Sequence, residues 1–169
     1  YKLRPAEPRD VPAVVALITE LAVFEQLEHL LETTSERLMP HLFGERPVAE
    51  CLVAERQREG AAEVVAFALF FTNFSTFKCL PGLYLEDLYV QPAHRSAGLG
   101  KALLRQLAQL AVQRGCGRFE WSVLDWNANA IAFYQKMGAV VMPDWRICRV
   151  TGDALQSLGE AAQGQPVVE

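Results

Sequence analysis

An apolar run carrying two carboxylates, Leu83-Tyr84-Leu85-Glu86-Asp87-Leu88-Tyr89-Val90, passes through Gln91 to Arg95 and then Ser96-Ala97-Gly98-Leu99-Gly100-Lys101 into an amphipathic stretch. The first part reads as a strand, the second as a glycine turn, the third as the start of a helix. Glycine lets backbone N–H groups approach a ligand closely, and a helix N-terminus favours anions. The pattern is not a Walker loop, because Arg95 stands where the first glycine belongs and Ala102 follows Lys101. Nor is it a dinucleotide fingerprint, because Leu103 replaces the third glycine. A phosphate cradle and an ordinary strand-to-helix turn both fit what is left.

The rest of the chain narrows the setting. Its 169 residues suit one domain over 1–169, and a composition 51% hydrophobic and 21% charged can bury a core. A net charge of −4 argues against a nucleic-acid partner and mildly favours a cationic small substrate. Cys51, Cys79, Cys116 and Cys148 are scattered, with no metal-ligand spacing among them or among the three histidines. Cys51 and Cys148 read as buried thiols in apolar strands. No metal site, signal peptide or membrane span is expected, and a reducing, cytoplasmic setting is.

Periodicity predicts a strand over 2–5, helices over 11–27 and from about 35 to Gly44, and strands over 49–55 and 63–74 joined at Gly60. A loop at Pro81-Gly82 precedes the acidic strand. A helix runs from Gly98 to about Arg114, with Leu99, Leu103, Leu107, Leu110 and Ala111 on one stripe. A strand over 118–124 and a helix capped by Asn127 and ended by Gly138 follow. Further strands fit 139–142 and 145–151, with a helical turn or two over 153–158 and a frayed tail over 160–169. The order β-α-α-β-β-β-α-β-α-β-β predicts an α/β fold, a mixed and mostly antiparallel sheet with helices on both faces.

With Arg-x-x-Gly-x-Gly before its third helix, that order resembles the GNAT (GCN5-related) N-acetyltransferases over nearly the whole chain. Leu21-Ala22-Val23-Phe24-Glu25, His41-Leu42-Phe43-Gly44, Cys51-Leu52-Val53-Ala54-Glu55, Tyr84-Leu85-Glu86-Asp87, Val123-Leu124-Asp125-Trp126-Asn127, Phe133-Tyr134 and Gly138-Ala139 resemble the diamine (spermidine/spermine) and thialysine acetyltransferases. The 123–127 stretch and Phe24-Glu25 lean toward the thialysine type, since Phe24 stands where the polyamine type carries tyrosine. The resemblance implies transfer of acetyl from acetyl-CoA to a primary amine, by direct attack in a ternary complex, in a homodimer.

Each step of such a transfer has a candidate. Arg95, Ser96, Ala97, Gly98, Leu99, Gly100 and Lys101 would anchor a pyrophosphate; Arg95 and Lys101 also read as solvated basic residues. By resemblance, the backbone at Leu88, Tyr89 and Val90 holds the pantetheine arm, and Asn127 and Lys136 contact the cofactor. A free alkylamine has a pKa of about 10.4, so a base must be placed for it. Glu86 is the candidate, binding the cation and passing its proton through water. On a regular strand Glu86 and Asp87 face opposite ways, so one of them meets the acceptor unless a bulge intervenes.

By resemblance, Tyr134 gives a proton to the CoA sulfur; without it, Tyr134 reads as a core aromatic beside Phe133. The same resemblance implies that Phe24, Glu25, Glu120, Trp121 and Ser122 line the acceptor pocket, with Glu86 beside them. Asp125, Trp126, Trp145 and Arg146 read as packing and dimer contacts, with Arg146 or Lys136 as the cation for an amino-acid carboxylate. Two other readings keep the cradle: an enzyme for protein lysine or an aminoglycoside, and a non-catalytic acyl-CoA-binding module.

Overall fold

The structure, a computed structural model, describes residues 1–58 and 60–161, in two compact units, Tyr1–Asn127 and Ala128 onward. The first unit holds a five-stranded sheet in the order β1-β2-β3-β4-β5, with β1 Lys2–Pro5, β2 Glu50–Arg58, β3 Ala61–Ser75, β4 Leu80–Val90 and β5 Phe119–Trp121. The β1–β2, β2–β3 and β3–β4 pairs are antiparallel, and β4–β5 is parallel. This is the mixed, mostly antiparallel sheet that the sequence predicts.

Helix α1, Val11–Glu25, accommodates Pro12 in its first turn, where no intrahelical N–H is missed. It buries Val11, Val14, Leu17 and Leu21 against Val53, Phe67 and Tyr89 of the sheet. Its stop is Gln26, in the left-handed region at φ 60°. Helix α2, Ser35–Phe43, joins the same face through Leu42. The Thr34 hydroxyl caps it by accepting from the Arg37 N–H. Helix α3, Leu99–Gln113, covers the opposite face, with Leu103 and Leu107 fully buried and Arg114, at its end, over the Phe70 ring. Each such leucine contributes about 1.5–3 kcal/mol of burial.

The structure departs from the sequence reading at four places. Pro81-Gly82 belongs to β4 itself, paired with Phe74 and Asn73 of β3. A proline near a strand's start forfeits only one ladder donor, and the Pro81 carbonyl still accepts from the Gly117 N–H. The strand predicted over 118–124 is only Phe119–Trp121. No strand occurs over 139–142 or 145–151 among the described residues. Val140, Met142, Trp145 and Ile147 are exposed there. Cys51 is buried, but Cys148 is exposed, against the buried thiol that its apolar run implies. β-Propensity describes fit to a paired, half-buried surface, and a run without a partner strand does not become one.

The second unit contributes α4, Ala128–Lys136, and α5, Gly152–Ala161. The rest of the expected frayed tail, 162–169, lies outside the described residues. Among the described residues no helix is long and apolar enough to cross a membrane, and no group of three or more His, Cys, Asp or Glu is placed to hold a metal.

Candidate active site

The C-terminal half of β4 is unlike the rest of the sheet. β3 pairs it as far as Val90, whereas on its other side β5 pairs only Leu83, Tyr84 and Leu85. Backbone polar groups from Glu86 to Val90 therefore have no strand partner on that edge among the described residues. Main-chain donors and acceptors left out of a ladder suit an extended, amide-bearing ligand.

Beyond Val90 the chain makes a short 3-10 turn, Pro92–His94, and enters the glycine turn. Ser96 at φ 70° and Gly98 at φ 78° are both left-handed, and Gly98 is the N-cap of α3. The N–H groups of Leu99, Gly100 and Lys101 fall in the first helical turn, where no intrahelical acceptor exists. Glycine is needed at 98 for its backbone angle, since a Cβ there would meet no atom within 4 Å. No acidic side chain occupies the first turn of α3. The turn thus offers donors and a positive dipole end, a fit to a diphosphate. Lys101 lines a cleft of about 510 Å³ together with Leu3 and Arg105.

The two strand carboxylates are separated by a bulge. Leu69 faces Asp87, but Phe70 faces Leu85, so Glu86 has no cross-strand partner. Without the bulge, Asp87 would share a face with Leu85, toward α3. The extra residue turns Asp87 to the face of its neighbour Leu69 and of Tyr89, which is α1's face. Glu86 is exposed at the bulge and Asp87 half-buried. Burial, then the charges of Glu86 and Glu25, push the Asp87 carboxyl up to about 6. Glu25, in the last turn of α1, is also half-buried and is itself raised by burial. Three carboxylates from two elements thus crowd one place.

Aromatic groups stand next to them. The Phe24 ring packs on Trp126, with centroids 5.9 Å apart, and the Arg95 guanidinium carbon lies 5.3 Å from the Phe24 centroid. On β5, Glu120 Oε2 lies 2.7 Å from Arg118 Nε, an ion pair rather than an aligned hydrogen bond, and accepts from Asn73 Nδ2 at 3.3 Å. Its charge is already answered within the sheet. Trp121 lies against Phe119, and the Ser122 and Tyr84 hydroxyls are hydrogen-bonded at 2.8 Å.

Residues 16–139 match the acetyltransferase (GNAT) family. The chain is 36% identical to an L-ornithine N5-acetyltransferase of Arabidopsis thaliana, over 93% of this chain and 87% of that protein. It is 34% identical to a thialysine N-epsilon-acetyltransferase of Mus musculus, over 93% and 96%. The chain belongs to the GNAT acetyltransferase family. It is accordingly an acetyl-CoA-dependent N-acetyltransferase. The fold agrees: an integron cassette protein from the mobile metagenome of V. cholerae superposes with a TM-score of 0.76 at 23% identity, over 94% of this chain and 97% of that one.

Within this GNAT chain the remaining candidates divide between the units. The Asn127 N–H donates to the Leu124 carbonyl at the end of the first unit. Tyr134 and Lys136 are on α4 in the second; Tyr134 is half-buried with its ring 5.4 Å from that of Phe133, and Lys136 is exposed in the last turn. Arg146, also in the second unit, donates to the carbonyls of Pro143 and Trp145.

Two features are invisible to sequence pattern. One is the direction of the Asp87 carboxyl, which depends on a register shift against β3. The other is Glu20 of α1, whose Oε2 accepts from the Tyr89 hydroxyl at 3.1 Å and whose Oε1 accepts from Gln91 Nε2 at 2.8 Å. A helical glutamate has no local signature that tells this role from a solvated one.

Proposed function

We propose that this GNAT enzyme acetylates the side-chain primary amine of a cationic amino acid, with thialysine and ornithine as the model acceptors and a diamine as the next nearest. The observation that carries the reading is the crowd of Glu25, Glu86 and Asp87 beside the Phe24–Trp126 pair. Like charges held together raise one another's proton affinity, and an ammonium group placed among them relieves that repulsion. The aromatic faces add a cation–π wall.

When bound, acetyl-CoA supplies the acyl group as a thioester. The backbone of Leu88, Tyr89 and Val90 holds its pantetheine arm, and the turn Arg95, Ser96, Ala97, Gly98, Leu99, Gly100 and Lys101 holds the diphosphate, with Asn127 and Lys136 as further contacts. Glu86, exposed at the bulge, receives the ammonium and leads its proton away through water. Asp87 is the better-matched store for that proton, because its carboxyl sits nearer neutrality than an ordinary aspartate. Direct attack in the ternary complex joins nitrogen to the acetyl carbon and breaks the carbon–sulfur bond; the Tyr134 hydroxyl protonates the departing sulfur and is restored by the second proton, which the acylated nitrogen sheds. Phe24, Glu25, Trp121 and Ser122 line the acceptor side, with Glu120 contributing through its pair with Arg118. Arg146 or Lys136 meets the acceptor's carboxylate. The working form is a cytoplasmic homodimer.

The test is CoA release with acetyl-CoA and, in turn, thialysine, ornithine, lysine, spermidine, putrescine and a lysine peptide. The expected order places the amino acids first. Preference for the peptide overturns the small-acceptor reading, and silence with every amine leaves an acyl-CoA-binding module. In parallel, Tyr134→Phe is expected to keep acetyl-CoA binding and lose most turnover.

A further inference from the structure

Helix α1 reaches past the acceptor side to the cofactor turn. Its Glu20 carboxylate takes one hydrogen bond from Tyr89 and one from Gln91, the residues on either side of Val90. The Val90 carbonyl in turn accepts from Arg95 Nε at 3.0 Å. The Arg95 guanidinium carbon lies 5.5 Å from the Tyr89 centroid and 5.3 Å from that of Phe24. Arg95 is exposed, yet two rings and one carbonyl fix where its charge sits. Tyr89 is buried, so the orientation of its ring is set by packing and by the bond to Glu20.

One carboxylate therefore braces the last residues of β4, and through them the first residue of the glycine turn. We propose that Glu20 is a positioning residue for acetyl-CoA binding, orienting Tyr89 so that this ring and Phe24 together hold Arg95 at the mouth of the diphosphate turn. This rests on the reading of that turn as the diphosphate site. It also makes Phe24 a contact shared between the acceptor side and the cofactor side. A long arginine left free loses rotamer entropy when it meets a phosphate, whereas one already held on aromatic faces has less to lose.

The test is calorimetric titration of acetyl-CoA into wild type, Glu20→Ala, Glu20→Gln, Arg95→Ala and the Glu20→Ala/Arg95→Ala double variant. Glu20→Ala is expected to weaken binding about tenfold, the scale of hydrogen bonds to one charged group. Glu20→Gln, which keeps one acceptor, recovers most of that. In the Arg95→Ala background Glu20→Ala is expected to cost less than about twofold more, because its effect runs through Arg95. In steady state the KM for acetyl-CoA rises more than kcat falls. Wild-type affinity in Glu20→Ala overturns the proposal, as does a loss that adds in full to that of Arg95→Ala. If Glu20→Ala does not fold, Tyr89→Phe, which keeps the ring and loses the bond, carries the same test with an expected loss of about threefold. Wild type that binds no acetyl-CoA would instead remove the reading of the turn on which the proposal stands.

Discussion

Two acid clusters flank α1, and they behave in opposite ways. At the start of the helix, Arg4 sits between Asp10 and Glu55, with Nη1 2.6 Å from Asp10 Oδ2 and Nη2 2.7 Å from Glu55 Oε2. All three side chains are nearly buried. The Arg4 guanidinium holds both carboxyls below the usual carboxylate range. At the end of the helix, Glu25, Glu86 and Asp87 gather with no ion pair to a cation among the described residues, and burial with the charges of its neighbours raises the Asp87 carboxyl to about 6. The difference is one cation. Supplied by the chain, it makes a staple that ties β1, β2 and the turn before α1. Left to be supplied from outside, on the proposed reading, it makes a place for an ammonium group.

Exchanging the roles breaks the comparison most severely. Asp87→Asn should lower turnover at least about a hundredfold, the usual range for losing a positioned proton acceptor. On the proposed reading, wild type has a limb of the pH–rate profile expected to climb through about pH 6, and Asp87→Asn should remove it. An unchanged limb assigns the proton elsewhere, and the same profile measured on Glu86→Gln then decides whether Glu86 carries it.

Next in size is Arg4→Met, which leaves Asp10 buried without its cation. A loss of about 3 kcal/mol in urea melts is expected, with activity per folded molecule retained. A loss smaller than about 1 kcal/mol would mean that water already screens the pair.

The two clusters also differ in the sign of their linkage to pH. Asp10 is lowered from 3.8, so its stabilisation is present above that value and disappears as pH falls through its lower folded value. Asp87 is raised from 3.8 to about 6, so its stabilisation is full below 3.8 and is lost as pH climbs through about 6. Asp87→Asn should therefore gain stability relative to wild type between about pH 4 and about pH 7, as read from urea melts across that span. Equal stability differences at both ends would contradict the raised carboxyl.

Glu25→Gln tests the like-charge part alone. It removes one of the neighbours that raise Asp87, so the acid limb of activity should move to lower pH by a few tenths of a unit. The smallest effect belongs to an acid–base pair outside both clusters. Arg114 donates to Glu50 through Nη1 and Nη2 but is about a third exposed, so Arg114→Gln should cost less than about 1 kcal/mol.

Particular residues show how far the sequence could be read. The apolar stripe of α3 and the Gly60 turn between β2 and β3 follow from neighbours within a few positions, and each is where the pattern puts it. The stretches 139–142 and 145–151 have strand-like composition and no strand, because a strand exists only by pairing. Glu120, expected to line the acceptor pocket, shows a partner that was nearer to hand: Arg118, two residues before it, pairs with it. On a strand, positions two apart share a face, so that partner was within reach of the pattern. Glu20 was not, since Tyr89 and Gln91 lie about seventy residues away along the chain.

By itself the amino-acid order settled the local grammar of this protein: an acidic strand, a glycine turn and a helix start, with enough matched motifs to point to the GNAT acetyltransferases. Those depend on backbone preferences and spacing that operate over a handful of residues. The tertiary structure alone decided which carboxylate of the Glu86-Asp87 pair turns toward α1, which acids find a cation, and how Arg95 is held. The direction of Asp87 depends on a register shift against β3, the cation shared with Glu55 comes from 51 residues away, and Arg95 is held partly by Phe24, so each involves a residue distant in the chain about which short-range pattern carries no information.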